Sequence, residues 1–218
     1  MLNIISTPIG NMEDITLRAL RTLKEAELIL AEDTRRTGIL LQKYEIKNKM
    51  LSFNEHNQEK RTREVIEIIR EKNVALVSDS GTPGISDPGF YLIRECVREG
   101  ILVSGVPGAN AAINAIVCSA LPTDKFCFYG FLSKKEKKKK ELFESINMTT
   151  IVYESPHRIQ KTLQTMKETI PKHQLVVCRE MTKKFEEFVR GTTTEVYEKL
   201  KDKNVKGEIV LVISPTTS

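Results

Sequence analysis

The sequence of 218 residues contains no tryptophan and only three histidines. His56, His157 and His173 are too few and too scattered to form a metal constellation. No Ser-His-Asp or Cys-His arrangement can be read from the chain, so a nucleophilic triad is not expected. The four cysteines, Cys96, Cys118, Cys127 and Cys178, include no C-x-x-C pair. Neither a zinc ribbon nor a dithiol redox motif fits them; small free thiols in a reducing cytoplasm do. No apolar run approaches the roughly 20 residues of a membrane span. The start, MLNIIS, has neither a basic n-region nor a cleavage site, so a soluble cytoplasmic protein without a leader is expected. Two nucleotide signatures are missing as well. There is no G-x-G-x-x-G, and no G-x-x-x-x-G-K-[ST], which excludes a phosphate-gripping P-loop.

What is present is a balanced globular composition, 40% hydrophobic and 29% charged, which argues against disorder. Apolar runs alternate with helical periodicity. Strands are expected at Leu2–Ser6, Leu28–Ala31, Met50–Phe53, Val74–Val77 and Ile101–Val106, with helices between them and a small-residue helix over Ala111–Ala120. That order implies a parallel, doubly wound sheet. At Leu121–Asp124 the pattern restarts, with strands at Phe126–Phe131, Thr150–Tyr153, Leu175–Cys178 and Glu208–Ser214 and an edge strand near Glu186–Arg190. The expected architecture is α/β in two domains: residues 1–120 around a parallel sheet, and 121–218 around a mixed one.

In an open α/β sheet, ligands bind beyond the carboxyl ends of the strands. Four unusual segments fall there: TPIGN, EDTRR, SDSGTPGISDPG and VPGANA. In the third, glycines let backbone amides approach a ligand, prolines hold the loop, and Asp79 and Asp87 offer carboxylates to hydroxyl or amino groups. A ribose- and amino-acid-bearing cofactor suits it better than a triphosphate, although such loops are often only turns. EDTRR sets Glu32 and Asp33, either of which can accept a proton, beside Arg35 and Arg36, which suit phosphates. A helix start with a local ion pair would use the same residues. The net charge of +5 is concentrated in Lys134–Lys140, KKEKKKK, readable as a solvated loop or helix start or as a phosphate-contacting patch.

Taken together, STPIGNMEDITLRAL, LAEDTRRTGILL, SFNEHNQ, VSDSGTPGISDPG, VPGANA, FYGFL, YESPHRI and REMTKKFEEFVRGT make the chain resemble the bacterial 16S rRNA (cytidine-2′-O)-methyltransferases of the tetrapyrrole methylase superfamily. The stretches run in order from residue 6 to residue 192. The resemblance implies a class III methyltransferase fold with S-adenosylmethionine bound, usually in a homodimer. It implies 2′-O-methylation of a decoding-region cytidine, with 16S rRNA or the 30S subunit as partner and no metal. Carried over by position, Pro8, Ser78, Asp79, Gly81, Thr82, Asn110, Ala111, Glu154 and Met181 would contact the cofactor. Asp33, then Glu32, would serve as base or orienting group. Arg35, Arg36, Asn54, Arg158, Lys134 and Lys135 would hold RNA. Asn110 stands where the family usually has serine, and Ser133 where proline is common. The sequence ends at Ser218, just after the last strand, whereas many members carry an extension; if that extension helps hold RNA, binding here is expected to lean more on Lys134–Lys140 or on partner proteins. The rival readings are a small-molecule tetrapyrrole methylase and a non-catalytic RNA-binding assembly factor.

Overall fold

A computed structural model describes residues 1–216; Thr217 and Ser218 lie outside the described residues. The chain divides into two compact units, residues 1–110 and 111–218. The first unit contains β1 (Leu2–Ile5), α1 (Leu17–Glu25), β2 (Leu28–Ala31), α2 (Thr34–Lys43), β3 (Met50–Ser52), α3 (Gln58–Glu71), β4 (Val74–Val77), α4 (Phe90–Arg98) and β5 (Val103–Val106). Its five strands are parallel in the order β3-β2-β4-β1-β5. The neighbouring central strands β2 and β4 are apolar at every position because helices cover both faces. Along β4, Ala75 and Val77 join Ala19, Leu23 and Leu41 of α1 and α2 on one side. Val74 and Leu76 join Val65, Ile69 and Leu92 of α3 and α4 on the other. The expected doubly wound sheet is therefore present.

The second unit opens with α5 (Ala111–Ser119). It continues through β6 (Phe126–Phe131), α6 (Glu136–Glu144), β7 (Thr149–Glu154), α7 (Ile159–Thr169), β8 (Gln174–Arg179), β9 (Glu187–Thr192), α8 (Thr193–Leu200) and β10 (Ile209–Ser214). Strand order is β6-β7-β10-β8-β9. The β6–β7 pair is parallel and the other pairs are antiparallel, giving the mixed sheet expected, with β9 at its edge. Between Phe128 and Phe131 the β6–β7 register slips, and Gly130 there adopts φ +66. That geometry is a bulge built on a left-handed glycine.

The division falls before α5, whereas the sequence pattern sets it after this helix. The reason is packing: Ala112, Ala115 and Ile116 cover Ile151, Val176, Val210 and Val212 of the second sheet. α2 begins at Thr34, within EDTRR, where Asp33 caps it by accepting the Arg35 amide. α3 begins at Gln58, with no side chain capping it. The basic run forms the first turns of α6 and is not uniformly solvated, since Lys139 is only 3% exposed.

Candidate functional site

In the first unit, the loops after β1, β4 and β5 are tied into one crevice wall. Thr7 and Gly81 exchange backbone hydrogen bonds, with Thr7 N donating to Gly81 O at 2.8 Å and Gly81 N to Thr7 O at 3.1 Å. Gly81 does this at φ +82, a conformation that side-chain-bearing residues adopt at a cost. Pro8 follows directly and is half-exposed beside this bridge. The Thr82 hydroxyl is the hub of the same wall. It shares a 3.0 Å hydrogen bond with the Ser6 hydroxyl, lies 3.4 Å from Ala109 O, and accepts from Asn110 Nδ2 at 3.4 Å. The amide at position 110 thus makes the polar contact available to a serine there. Ser78 is buried, its hydroxyl donating to Gly81 O at 3.4 Å, so its role within the unit is to shape the loop.

A second knot joins the ends of β2 and β4. Asp79 Oδ1 accepts the Asp33 amide at 3.0 Å, while Glu32 Oε2 accepts the Asp79 amide at 3.2 Å. Asp79 Oδ2 also pairs with Arg36 at 3.4 Å. Arg35 closes back on Asp33 with Nη2–Oδ2 at 2.7 Å and Nε–Oδ1 at 3.0 Å. Those bonds, with the cap amide, hold the Asp33 carboxyl down at about 2. Glu32 moves the other way: burial raises its pKa, with the neighbouring Asp79 charge adding to the effect. Asp87 moves furthest, pushed up to about 7 by burial first and by the charges of Glu32 and Asp79 after it. Ser86, at φ +60, turns the loop just before it. Glu32, Asp79 and Asp87 are therefore three carboxylates crowded at the ends of two adjacent strands.

Asn54, just after β3, is engaged locally. Its side-chain oxygen accepts the His56 amide at 3.1 Å and its Nδ2 reaches Ser52 Oγ at 3.3 Å, an Asx turn leading into α3. In the second unit, the Glu154 side chain is fully buried. Oε1 accepts Arg158 at 2.7 Å and the Ser155 amide at 2.7 Å, and Oε2 accepts the Thr162 hydroxyl at 2.6 Å. A carboxylate so saturated holds its own unit together and has little left for a cofactor. Lys139 Nζ donates to the same Thr162 hydroxyl at 3.2 Å and pairs with Glu136 at 3.2 Å. Met181 is buried with Ala112 and Ala115 of α5, its sulfur 3.7 Å from Asn114 Nδ2, and Ala111 packs on the edge of that cluster. Lys134 and Lys135 are exposed. Among the described residues, no group of three or more His, Cys, Asp or Glu is arranged to hold a metal ion, and no helix is long and apolar enough to cross a membrane.

The sequence patterns missed two things here: the inward turn of Glu154, and the proximity of Asp87 to Glu32. Tyr-Glu at the end of an apolar strand was a signal for the first, since such a carboxylate is either at a ligand or in a buried pair.

Comparison with known proteins fits this arrangement. The family model for Tetrapyrrole (Corrin/Porphyrin) Methylases matches residues 1–197, and the chain belongs to that family. It is a methyltransferase. The chain is 48% identical over 217 residues to ribosomal RNA small subunit methyltransferase I of Thermotoga maritima, covering 98% of this chain and 97% of that one. It is 45% identical over 216 residues to the protein of the same name from Halalkalibacterium halodurans, covering 97% and 75%. Among solved structures, uroporphyrin-III-C-methyltransferase from Thermus thermophilus superposes with a TM-score of 0.68 at 22% identity, covering 98% of this chain and 93% of that one. Another structure of the Thermus thermophilus enzyme, complexed with S-adenosylhomocysteine, gives 0.65 at 19% identity, covering 98% and 96%. At such identities the likeness establishes the fold, the class III methyltransferase architecture.

Proposed function

We propose that this enzyme methylates small-subunit ribosomal RNA, transferring a methyl group from S-adenosylmethionine to the ribose 2′-oxygen of a decoding-region cytidine. The observation that carries the donor assignment is the crowding of Glu32, Asp79 and Asp87. Carboxylates pressed together in this way favour a cationic ligand and repel a polyphosphate. S-adenosylmethionine carries a sulfonium and an ammonium, so the donor set fits it. The full-length likeness to the small-subunit RNA methyltransferases supports the substrate.

When bound, S-adenosylmethionine supplies an electrophilic methyl group. The chain's own contribution is alignment and a proton acceptor, because a protonated 2′-hydroxyl is a poor nucleophile. Asp33, the first candidate from sequence, is committed to the α2 cap and to Arg35 and is a weak base at about 2. Glu32 has the raised affinity for a proton and takes the role of base. Arg36, held by Asp79, and Arg35 present guanidinium groups to RNA phosphates. Asp79 and the wall built around Thr82 position the donor.

The enzyme works as a homodimer in the cytoplasm on RNA or the 30S subunit. For the pair, the support is the exposure of large apolar side chains in the first unit: Phe90 and Val97, seven residues apart on α4, and Leu102, just before the edge strand β5. Sedimentation would show a single monomeric species if that is wrong. The deciding experiment for the activity maps 2′-O-methylation on small-subunit RNA from cells with and without the gene. Loss of one modified cytidine is expected; an unchanged map would overturn the assignment.

A further inference from the structure

The edge strand β6 ends in a group of aromatic and basic side chains that the strand-end carboxylates do not use. The bulge at Gly130 turns Phe131 outward, leaving it 62% exposed. Its ring is nevertheless held. It meets Tyr153 edge-on, with centroids 5.4 Å apart and planes at 70°, and Tyr153 meets Phe128 the same way at 5.0 Å and 66°. Phe131 is thus held by Tyr153 of β7, which Phe128 of β6 braces in turn, and this lowers the entropic cost of using its free surface.

The basic turn that follows is tied to the same point. Arg158, anchored on the buried Glu154, donates to the carbonyl of Leu132 at 3.3 Å. The Ser133 hydroxyl accepts the Lys135 amide at 3.2 Å. Lys134 and Lys135 are exposed and make no ion pair among the described residues. α6 begins immediately afterwards with no side chain capping it. The one acid of its first turn, Glu136, is turned inward to Lys139, Lys161 and Thr165, so it does not oppose an incoming anion.

We propose that the end of β6 and the start of α6 form a stacking platform for unpaired RNA, with Phe131 against a base and Lys134 and Lys135 on the flanking phosphates. An exposed, preordered aromatic ring followed within four residues by unpaired cations matches what single strands require, since every base has a stackable face and every linkage a phosphate. The inference rests on RNA being the substrate and names the RNA form and contacts.

The test is anisotropy titration of a short fluorescein-labelled single-stranded RNA across a salt series. Thermal shift with S-adenosylmethionine and sedimentation are recorded on the same samples. Phe131→Ala should weaken binding roughly five- to hundredfold. Phe131→Leu, which keeps the packing on Tyr153, should lose nearly as much, and Phe131→Trp should bind at least as well as the parent. None of the three should change the salt slope. Lys134→Ala/Lys135→Ala should lower that slope by about 1.4, some 0.7 per lost phosphate contact. A parent that binds while the Ala and Leu variants bind equally well would overturn the platform and leave RNA as the substrate. So would a binding loss that appears only with a changed oligomeric state, because Phe131 would then be a contact between copies. A parent that binds no RNA at all would overturn this inference, while the methylation map decides the substrate independently of it.

Discussion

Glu32 and Asp33 are adjacent in sequence and opposite in chemistry. Asp33 sits where a helix start and an arginine both want a carboxylate ion, and its proton affinity falls; Glu32 is turned toward other carboxylates in a drier place, and its affinity rises. Glu32→Gln should therefore lower kcat by about a hundredfold or more, the usual range for a general base, and, with one of three crowded carboxylates gone, should reduce the thermal shift given by S-adenosylmethionine without abolishing it. Asp33→Asn keeps a competent cap and should cost less than about tenfold. Equal losses in the two variants would exchange their roles. Asp87 makes a pH-dependent case. Its folded pKa of about 7 lies above the ordinary value of 3.8, so folding stability drains away as pH rises through that interval. Donor affinity should do the opposite and increase through about 7 as the carboxylate ionises toward the cation. Asp87→Asn should flatten both profiles, measured by thermal melts and by titration calorimetry. Glu154 offers a third residue-level contrast. Removing it strands Arg158 and the Thr162 hydroxyl, so Glu154→Ala should cost on the order of 3 kcal/mol of stability. A direct cofactor contact would instead lose donor binding with the melting temperature unchanged.

Elements were legible where the pattern is simple. LILA and VALV read as strands because they are short, wholly apolar runs, and TLRALRTL reads as a helix because Leu17, Leu20 and Leu23 recur at helical spacing; the structure adds the Thr16 cap and buries Ala19 and Leu23. The crevice was legible too, from topology: parallel strands must place their loops on one edge. What the sequence did not carry was direction. Nothing in YESPHR says that Glu154 turns inward, and nothing in KKEKKKK says that the sixth residue of the run is buried against Thr162 while the first two are not. Those are facts about which face of β7 and α6 meets α7, and they depend on partners far away in the chain. The hub at Thr82 is an element-scale device joining three loops. Thr82→Val, which keeps the shape and removes the hydroxyl, should cost about 1–2 kcal/mol and weaken donor binding, read from melts with and without ligand.

At the scale of the molecule, the family match runs over residues 1–197, while α5 shows how chain order and packing part company. Strand–helix alternation assigns Ala111–Ser119 to the first half, yet its apolar side belongs to the second sheet. This has a practical outcome for anyone dividing the protein. A fragment beginning at Leu121 would leave Ile151, Val176, Val210 and Val212 without their cover, and an open apolar sheet face of that kind invites aggregation. A fragment beginning at Ala111 brings its own lid and should stay dispersed in light scattering, so nine residues of helix decide whether the second half can be handled alone.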